Sequence, residues 1–405
     1  MIQRRNRWYQ VITAACCIVL AGHGLGAEAA ANPGAFPLKD GDTWVMVGDS
    51  ITEQHLHSNY IEAFCYARFP KLNFHIRNAG LSGETIHRLL ATGRFNTQAA
   101  PWKPTLVSVE LGMNDAWTNH NISTSAYITN MTKLTECIRG IGARPMFFSP
   151  SAVNDFTCST NRSAHNQRLE AYSTALRAFA AEQKAPFADQ YHPLVDVWAS
   201  KKLSGSSVHI APGGQLTMAA AILEGLNAPG LVSKATLDIS GKTGELIQCR
   251  ITDVAIEKNG GISFDRIDEC LPMPIPDEAR GGLAVYPQIA DLSQWILAVT
   301  GLKDGEYQID IDGIPVARVT ADILAKGWNM GTLEEGPVAD QCRYILQLIE
   351  IKECWVSQWV RATKTPGKKM PVILAELNLK VLEADAMIRE AAKPKSHHFS
   401  ISPIQ

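Results

Sequence analysis

Residues 43 to 229 predict an α/β fold, a parallel sheet with helices on both faces, on two observations. Short apolar runs such as Trp44 to Val47 and Leu106 to Val109 read as strands buried on both faces, as parallel strands are. Between such runs stand longer stretches with apolar residues at helical spacing: Ser125 to Arg139, Ala164 to Gln183 and Pro212 to Leu226. Strands that alternate with helices in this way predict right-handed crossovers, which gather the loops after the strands along one edge of the sheet. In open sheets that edge is where ligands bind.

The first strand lies in T-W-V-M-V-G-D-S-I-T-E-Q, residues 43 to 54. Gly48-Asp49-Ser50 ends its apolar run, and Ile61, Phe64, Cys65 and Phe69 then fall on one helix face. Ser50 therefore stands where a strand hands over to a helix, beside free amides and the positive end of a helix dipole. Leu72 to Ile76 alternates apolar and polar, as a second strand would, and leads into N-A-G-L-S-G-E-T at 78 to 85. Thr105 to Leu111 is a third strand, followed by G-M-N-D at 112 to 115. Pro145 to Phe148 and Pro186 to Ala188 read as further strands. The block S-S-V-H-I-A-P-G-G-Q at 206 to 215 puts His209 in a loop before the last of these helices.

Together, G-D-S-I, the glycine block, G-M-N-D and the late V-H resemble the SGNH, or GDSL-type, esterase and lipase superfamily over roughly residues 40 to 232. The resemblance implies a three-layer, flavodoxin-like SGNH hydrolase domain, with boundaries at residues 36 and 232, that cleaves carboxylic esters. It implies Ser50 as nucleophile and His209 as its base, because a serine hydroxyl attacks poorly unless an imidazole takes its proton. It also implies an oxyanion hole made by the backbone amides of Ser50 and Gly83 and the side-chain amide of Asn114. At Gly83 the missing side chain would let the amide approach closely, and Asn114 would donate without carrying charge. Asp49 and Asp115 flank the named residues, and the expectation is that they tie down their loops by bonding backbone amides.

The chain departs from the family at Ser206, where an aspartate usually stands three residues before the histidine. That acid holds the imidazole in the right tautomer and stabilises its charged form. Serine brings no charge. Two readings follow: an esterase with a Ser50–His209 dyad, or with an acid from Asp155, Asp189 or Asp196; and, as the alternative, an impaired relative that binds a glycan or acyl group. His55, His57 and His192 read as surface histidines.

Arg4, Arg5 and Arg7 precede the apolar run Val11 to Ala21, and small residues follow, so residues 1 to 29 read as a signal peptide of a secreted or periplasmic protein. The run is too short for a stable membrane span, which takes about 20 residues. No cofactor is expected, and no C-x-x-C spacing suggests a metal. Cys249 and Cys270 are the pair to test for a disulfide. A formal net charge of −2 gives no basic patch for nucleic acid, so the expected partner is a small-molecule or polysaccharide ester. Residues 233 to 318 show short alternating runs and read as a β-rich region. Residues 319 to 393 read as helical, with Ile345, Leu348, Ile349, Trp355 and Trp359 on one face and Leu374, Leu377, Leu379 and Leu382 on another. Residues 394 to 405 read as a mobile tail. An exported protein with such an addition and no long apolar lid fits removal of short acyl (acetyl) groups from carbohydrate better than lipid hydrolysis.

Overall fold

A computed structural model describes residues 35–117, 120, 122–154, 163–200, 203, 205–364 and 370–404. The expected export leader, Asp155 and Cys158 lie outside the described residues. In chain order the first half runs β1 (Thr43–Gly48), α1 (Ser50–Glu53), α2 (His57–Arg68), β2 (His75–Gly80), α3 (Ile86–Ala91), β3 (Leu106–Glu110), α4 (Thr124–Gly140), β4 (Arg144–Phe148), α5 (Ala164–Glu182), β5 (Phe187–Ala188), α6 (Tyr191–Ser200) and α7 (Pro212–Gly225). The five strands form one sheet in the order β2-β1-β3-β4-β5, and every pair in it is parallel. Trp44 and Met46 of β1 join one buried cluster with Ile61 and Phe64 of α2 and Leu216 and Leu223 of α7. Val45 and Val47 point the other way, into a cluster with Met131 of α4 and Leu169 of α5. Alternating side chains of one strand thus serve two helical layers, which makes a three-layer α/β domain.

β2 lies three residues later than its apolar alternation suggests. Its register is set by pairing with β1, Thr43 opposite His75 and Gly48 opposite Gly80, so polar Arg77 and Asn78 become buried strand residues. Both have partners from distant parts of the chain. Arg77 donates to Asp385, while Asn78 Nδ2 donates to Thr52 O at 2.6 Å and to Ser58 Oγ at 2.9 Å.

The second half runs β6 (Leu231–Asp238), β7 (Thr243–Ile247), β8 (Cys249–Ile256), β9 (Ile262–Asp268), β10 (Gln294–Thr300), β11 (Glu306–Ile311), β12 (Ile314–Thr320), α8 (Ala321–Lys326), β13 (Trp328–Asn329), α9 (Pro337–Ala362), α10 (Met370–Ala391) and β14 (Ser396–Pro403). Its strands form a four-stranded sheet, β13-β10-β6-β7, and a five-stranded one, β12-β11-β14-β9-β8. The segment expected to be a mobile tail is therefore the central strand of the larger sheet. His397, Phe399 and Ile401 alternate inward, and the polar His397 has Asp312 Oδ2 2.7 Å from its Nδ1. Cys249 and Cys270 remain separate thiols, directed at the carbonyls of Lys234 and Val232.

The first buried cluster continues from α2 and α7 into Phe264, Trp295 and Ile401, and the described residues from Ala35 onward form one compact unit. α9 and α10 cover edge strand β2: Lys352 donates to Ile76 O at 2.9 Å and Arg389 to Phe74 O at 2.8 Å. An uncovered edge would invite pairing with other chains. On α9, Ile345, Leu348, Ile349 and Trp359 are buried as expected, but on α10 the buried positions are Leu377, Val381, Ala384, Asp385 and Ile388. Leu379 and Leu382 are exposed, because the i, i+4, i+7, i+11 set from Leu377 faces the protein instead. Asp385 is held there by Arg77, His75 and Tyr66. Among the described residues no helix is long and apolar enough to cross a membrane.

Candidate active site

α1 begins at Ser50, directly after β1, and Asp49 caps it by accepting a hydrogen bond from the Ile51 amide at 2.9 Å. This one-turn helix lies close against the end of β2. A Cβ at Gly80 would stand 2.4 Å from the Glu53 nitrogen, so glycine there permits the approach. Pro212 opens α7 at a position where proline suits a helix start, and the loop before it carries His209. His209 Nε2 lies 2.9 Å from Ser50 Oγ.

The other two blocks reach the same edge. Gly83 adopts φ +71°, a left-handed conformation that strains most side chains. Its loop is tied to α1, because Glu53 Oε2 accepts the Ser82 amide at 2.8 Å. Asn114 Nδ2 donates to Glu84 O at 2.9 Å, which sets its orientation and leaves its second N–H without a partner among the described residues. Asp115 accepts the Ile86 amide at 3.3 Å. So Ser50, Gly83, Asn114 and His209 come from four segments that the fold brings to the carboxyl ends of β1, β2 and β3 and the start of α7.

Ser206 bonds the backbone of His209 and not its ring. Its Oγ accepts the His209 backbone amide at 2.9 Å, and its own amide donates to His209 O at 2.9 Å. Among the described residues no carboxylate bonds the His209 ring. Asp189 is engaged elsewhere, with Arg177 and His192 Nδ1 at 2.6 and 2.8 Å, and Asp196 lies exposed on α6. His192 is exposed in the first turn of α6.

Near Ser50 lies a group of buried charged residues that local sequence did not reveal. His57 is buried, not at the surface: its Nε2 sits 3.1 Å from Glu110 Oε2, and its Nδ1 lies 3.0 Å from Gln215 Oε1. Glu110 also accepts Thr52 Oγ1 and Gln190 Nε2, both at 2.8 Å. Burial opposes both charges, but Glu110 raises the pKa of His57, and His57 lowers that of Glu110. Glu84 pairs with Arg94 in the same group. Burial and the nearby Glu110 push Asp49 well above the usual carboxylate range. Burial lifts Asp115 to about 7, against the amide bond that favours its charged form. Trp117, three residues after Asn114, is 39% exposed, and its ring meets that of His165 edge-on at 4.1 Å. Burial, then Arg168, pulls His165 down to about 4. The only sequence signal for the His57 pair is a glutamate closing a strand whose other residues are apolar except for Ser108, since a buried charge needs a partner.

Residues 46–215 match the model of the GDSL-like lipase/acylhydrolase family. An acetylxylan esterase of Geobacillus stearothermophilus is 21% identical over 206 residues, which cover 45% of this chain and 93% of that protein. A solved structure of a gut microbial diltiazem-metabolizing enzyme is 19% identical and superposes with a TM-score of 0.80, over 92% of this chain and 99% of that one. The fold shared with that structure thus includes the second half of the chain.

Proposed function

Residues 46–215 belong to the GDSL-like lipase/acylhydrolase family, and on that premise we propose that the chain is an exported serine esterase that removes short acyl groups, acetyl above all, from carbohydrate. The observation that carries this reading is the 2.9 Å approach of His209 Nε2 to Ser50 Oγ. In the proposed reaction His209 takes the hydroxyl proton as Ser50 attacks the ester carbonyl. The oxyanion that forms accepts hydrogen bonds from the amides of Ser50 and Gly83 and from the second N–H of Asn114. Collapse expels the sugar alcohol, which takes its proton from His209. Water, activated by the same imidazole, then releases the acyl group from Ser50. Asp49 and Asp115 hold the two loops in place through the amides of Ile51 and Ile86. A relative named as an acetylxylan esterase supports the acetyl and carbohydrate preference.

A second reading rests on Ser206, whose hydroxyl is spent on the backbone of His209 rather than on its ring. There the protein is an impaired relative that binds a glycan or acyl group. The deciding experiment is hydrolysis of short-chain and long-chain aryl esters and acetylated glycans, with Ser50→Ala as the blank and a fluorophosphonate as probe. The esterase reading expects turnover of the short esters, one covalent mass on the peptide that holds Ser50, and loss of labelling in His209→Ala. Hydrolysis that survives in Ser50→Ala removes Ser50 from the mechanism. No turnover with any ester leaves the binding reading.

A further inference from the structure

The family match stops at residue 215, yet α9, far beyond it, touches the turn that follows Ser50. That turn is His55, at φ +59°, a conformation uncommon for residues other than glycine. Its Nδ1 lies 2.9 Å from Glu353 Oε2 and its Nε2 2.7 Å from Ser357 Oγ. Glu353 and Ser357 are four residues apart and share one face of α9, so a single helix takes both ring nitrogens. Glu353 is fixed in its turn. It is 3% exposed and stands 2.8 Å from the fully buried Lys352, which also reaches Glu62 and Ile76 O. Burial works against a charge on Glu353, but Lys352 and His55 hold its carboxyl below the ordinary range.

On the other side of His55 the connections run to α1 and the 82–83 loop. The His55 amide donates to Thr52 O at 3.1 Å and closes the last turn of α1, the helix that begins at Ser50. Glu53 in α1 holds the Ser82 amide, one residue from Gly83. From Glu353 and Ser357 through His55, a line of direct contacts thus ends at α1, which opens with Ser50, and at the Ser82 amide, next to Gly83 of the proposed oxyanion hole.

We propose that Glu353 and Ser357 of α9 are positioning residues for the esterase reaction: by gripping His55 they fix α1, and so set Ser50 against His209 and the 82–83 loop against the substrate. The added region is on this account a part of the catalytic scaffold. The proposal rests on the esterase reading above.

The test begins with His55→Gly, which keeps the left-handed turn at no steric cost and deletes the grip. The expected result is a fall in kcat of roughly 10- to 100-fold with KM within about twofold, because small misplacement of a reacting group is costly. Fluorophosphonate labelling should slow by a like factor, the inflections of the pH–rate profile should stay in place, and amide exchange over residues 50 to 55 should speed up. His55→Asn tolerates the same backbone and can keep one bond to α9, so it should recover part of the rate. Ser357→Ala, on a half-buried surface, should move kcat in the same direction by a smaller factor. Wild-type kcat in folded His55→Gly overturns the proposal, and so does a loss that merely tracks the unfolded fraction. If the wild-type protein shows neither turnover nor labelling, the esterase reading fails separately. Exchange over residues 50 to 55 then decides the grip alone: unchanged protection in His55→Gly overturns it, and faster exchange supports it.

Discussion

Ser206→Asp separates an impaired dyad from one served by another acid. The serine hydroxyl accepts the His209 backbone amide at 2.9 Å, a role that one oxygen of an aspartate can take over without moving the turn. The second oxygen is then free to reach the imidazole. Two opposite charges about 4 Å apart interact by about 1 kcal/mol in water and about 4 kcal/mol at the effective dielectric of a protein surface. Ser206 is exposed, so the lower part of that range applies. A gain near 1.4 kcal/mol in the transition state corresponds to roughly a tenfold rise in rate. The ceiling is the loss of about four orders of magnitude seen when the buried acid of a serine protease is replaced. The assay is kcat/KM on one short-chain aryl ester from pH 5 to 9 for both proteins. A carboxylate favours the charged imidazole, so the acid limb of the variant's profile should move to higher pH as its plateau rises. An active wild-type protein whose rate does not increase, or falls, on this substitution refutes the reasoning and points to another acid.

Asn114→Ala should lower kcat by about 10² to 10³, the loss typical of one oxyanion donor. Its bond to Glu84 O makes a stability loss of about 1 kcal/mol expected as well, and a much larger loss in urea unfolding would give the residue to the fold instead. Asp385→Asn removes the charge that neutralises buried Arg77 and should cost about 3 to 5 kcal/mol at pH 7. Burial works against a charge on Asp385, yet the bond from His75 and the charge of Arg77 hold its pKa well below the ordinary value. Its contribution is therefore complete above the unfolded carboxylate value of about 4 and is lost as the pH falls through the lower folded value. Urea unfolding should show the gap between variant and wild type narrowing below about pH 4; a gap that is the same at pH 3 and pH 7 contradicts the pairing.

The parallel sheet could be read from the sequence because its central strands are buried on both faces and are therefore mostly apolar, as Trp44 to Val47 and Leu106 to Val109 are, with Ser108 the exception, bonded by the Trp44 indole N–H at 2.9 Å. Motif order then brought Ser50, Gly83, Asn114 and His209 to notice, since each follows a strand or precedes a helix that is strongly patterned. What could not be read were polar residues whose partners lie far along the chain. Apolar alternation ended the second strand at Ile76, but the strand continues through Arg77 and Asn78, whose polar groups Asp385, Thr52 and Ser58 satisfy. His57 looked exposed because nothing near it in sequence announces Glu110 and Gln215. The 396–403 stretch looked mobile for the same reason: its histidines and serines conceal an inward row of His397, Phe399 and Ile401.

That strand also imposes an order on assembly. β9 and β11 are not neighbours of each other; each pairs with β14, Ser263 with Ser400 on one side and Ile309 with Ile401 on the other. During synthesis both must wait, with their edges unpaired, while α9 and α10 are made, and only residues 396–403 can close the gap. A ribosome that stalls before that point leaves a chain with two sticky edges and an open core, the kind of product that aggregates or is degraded.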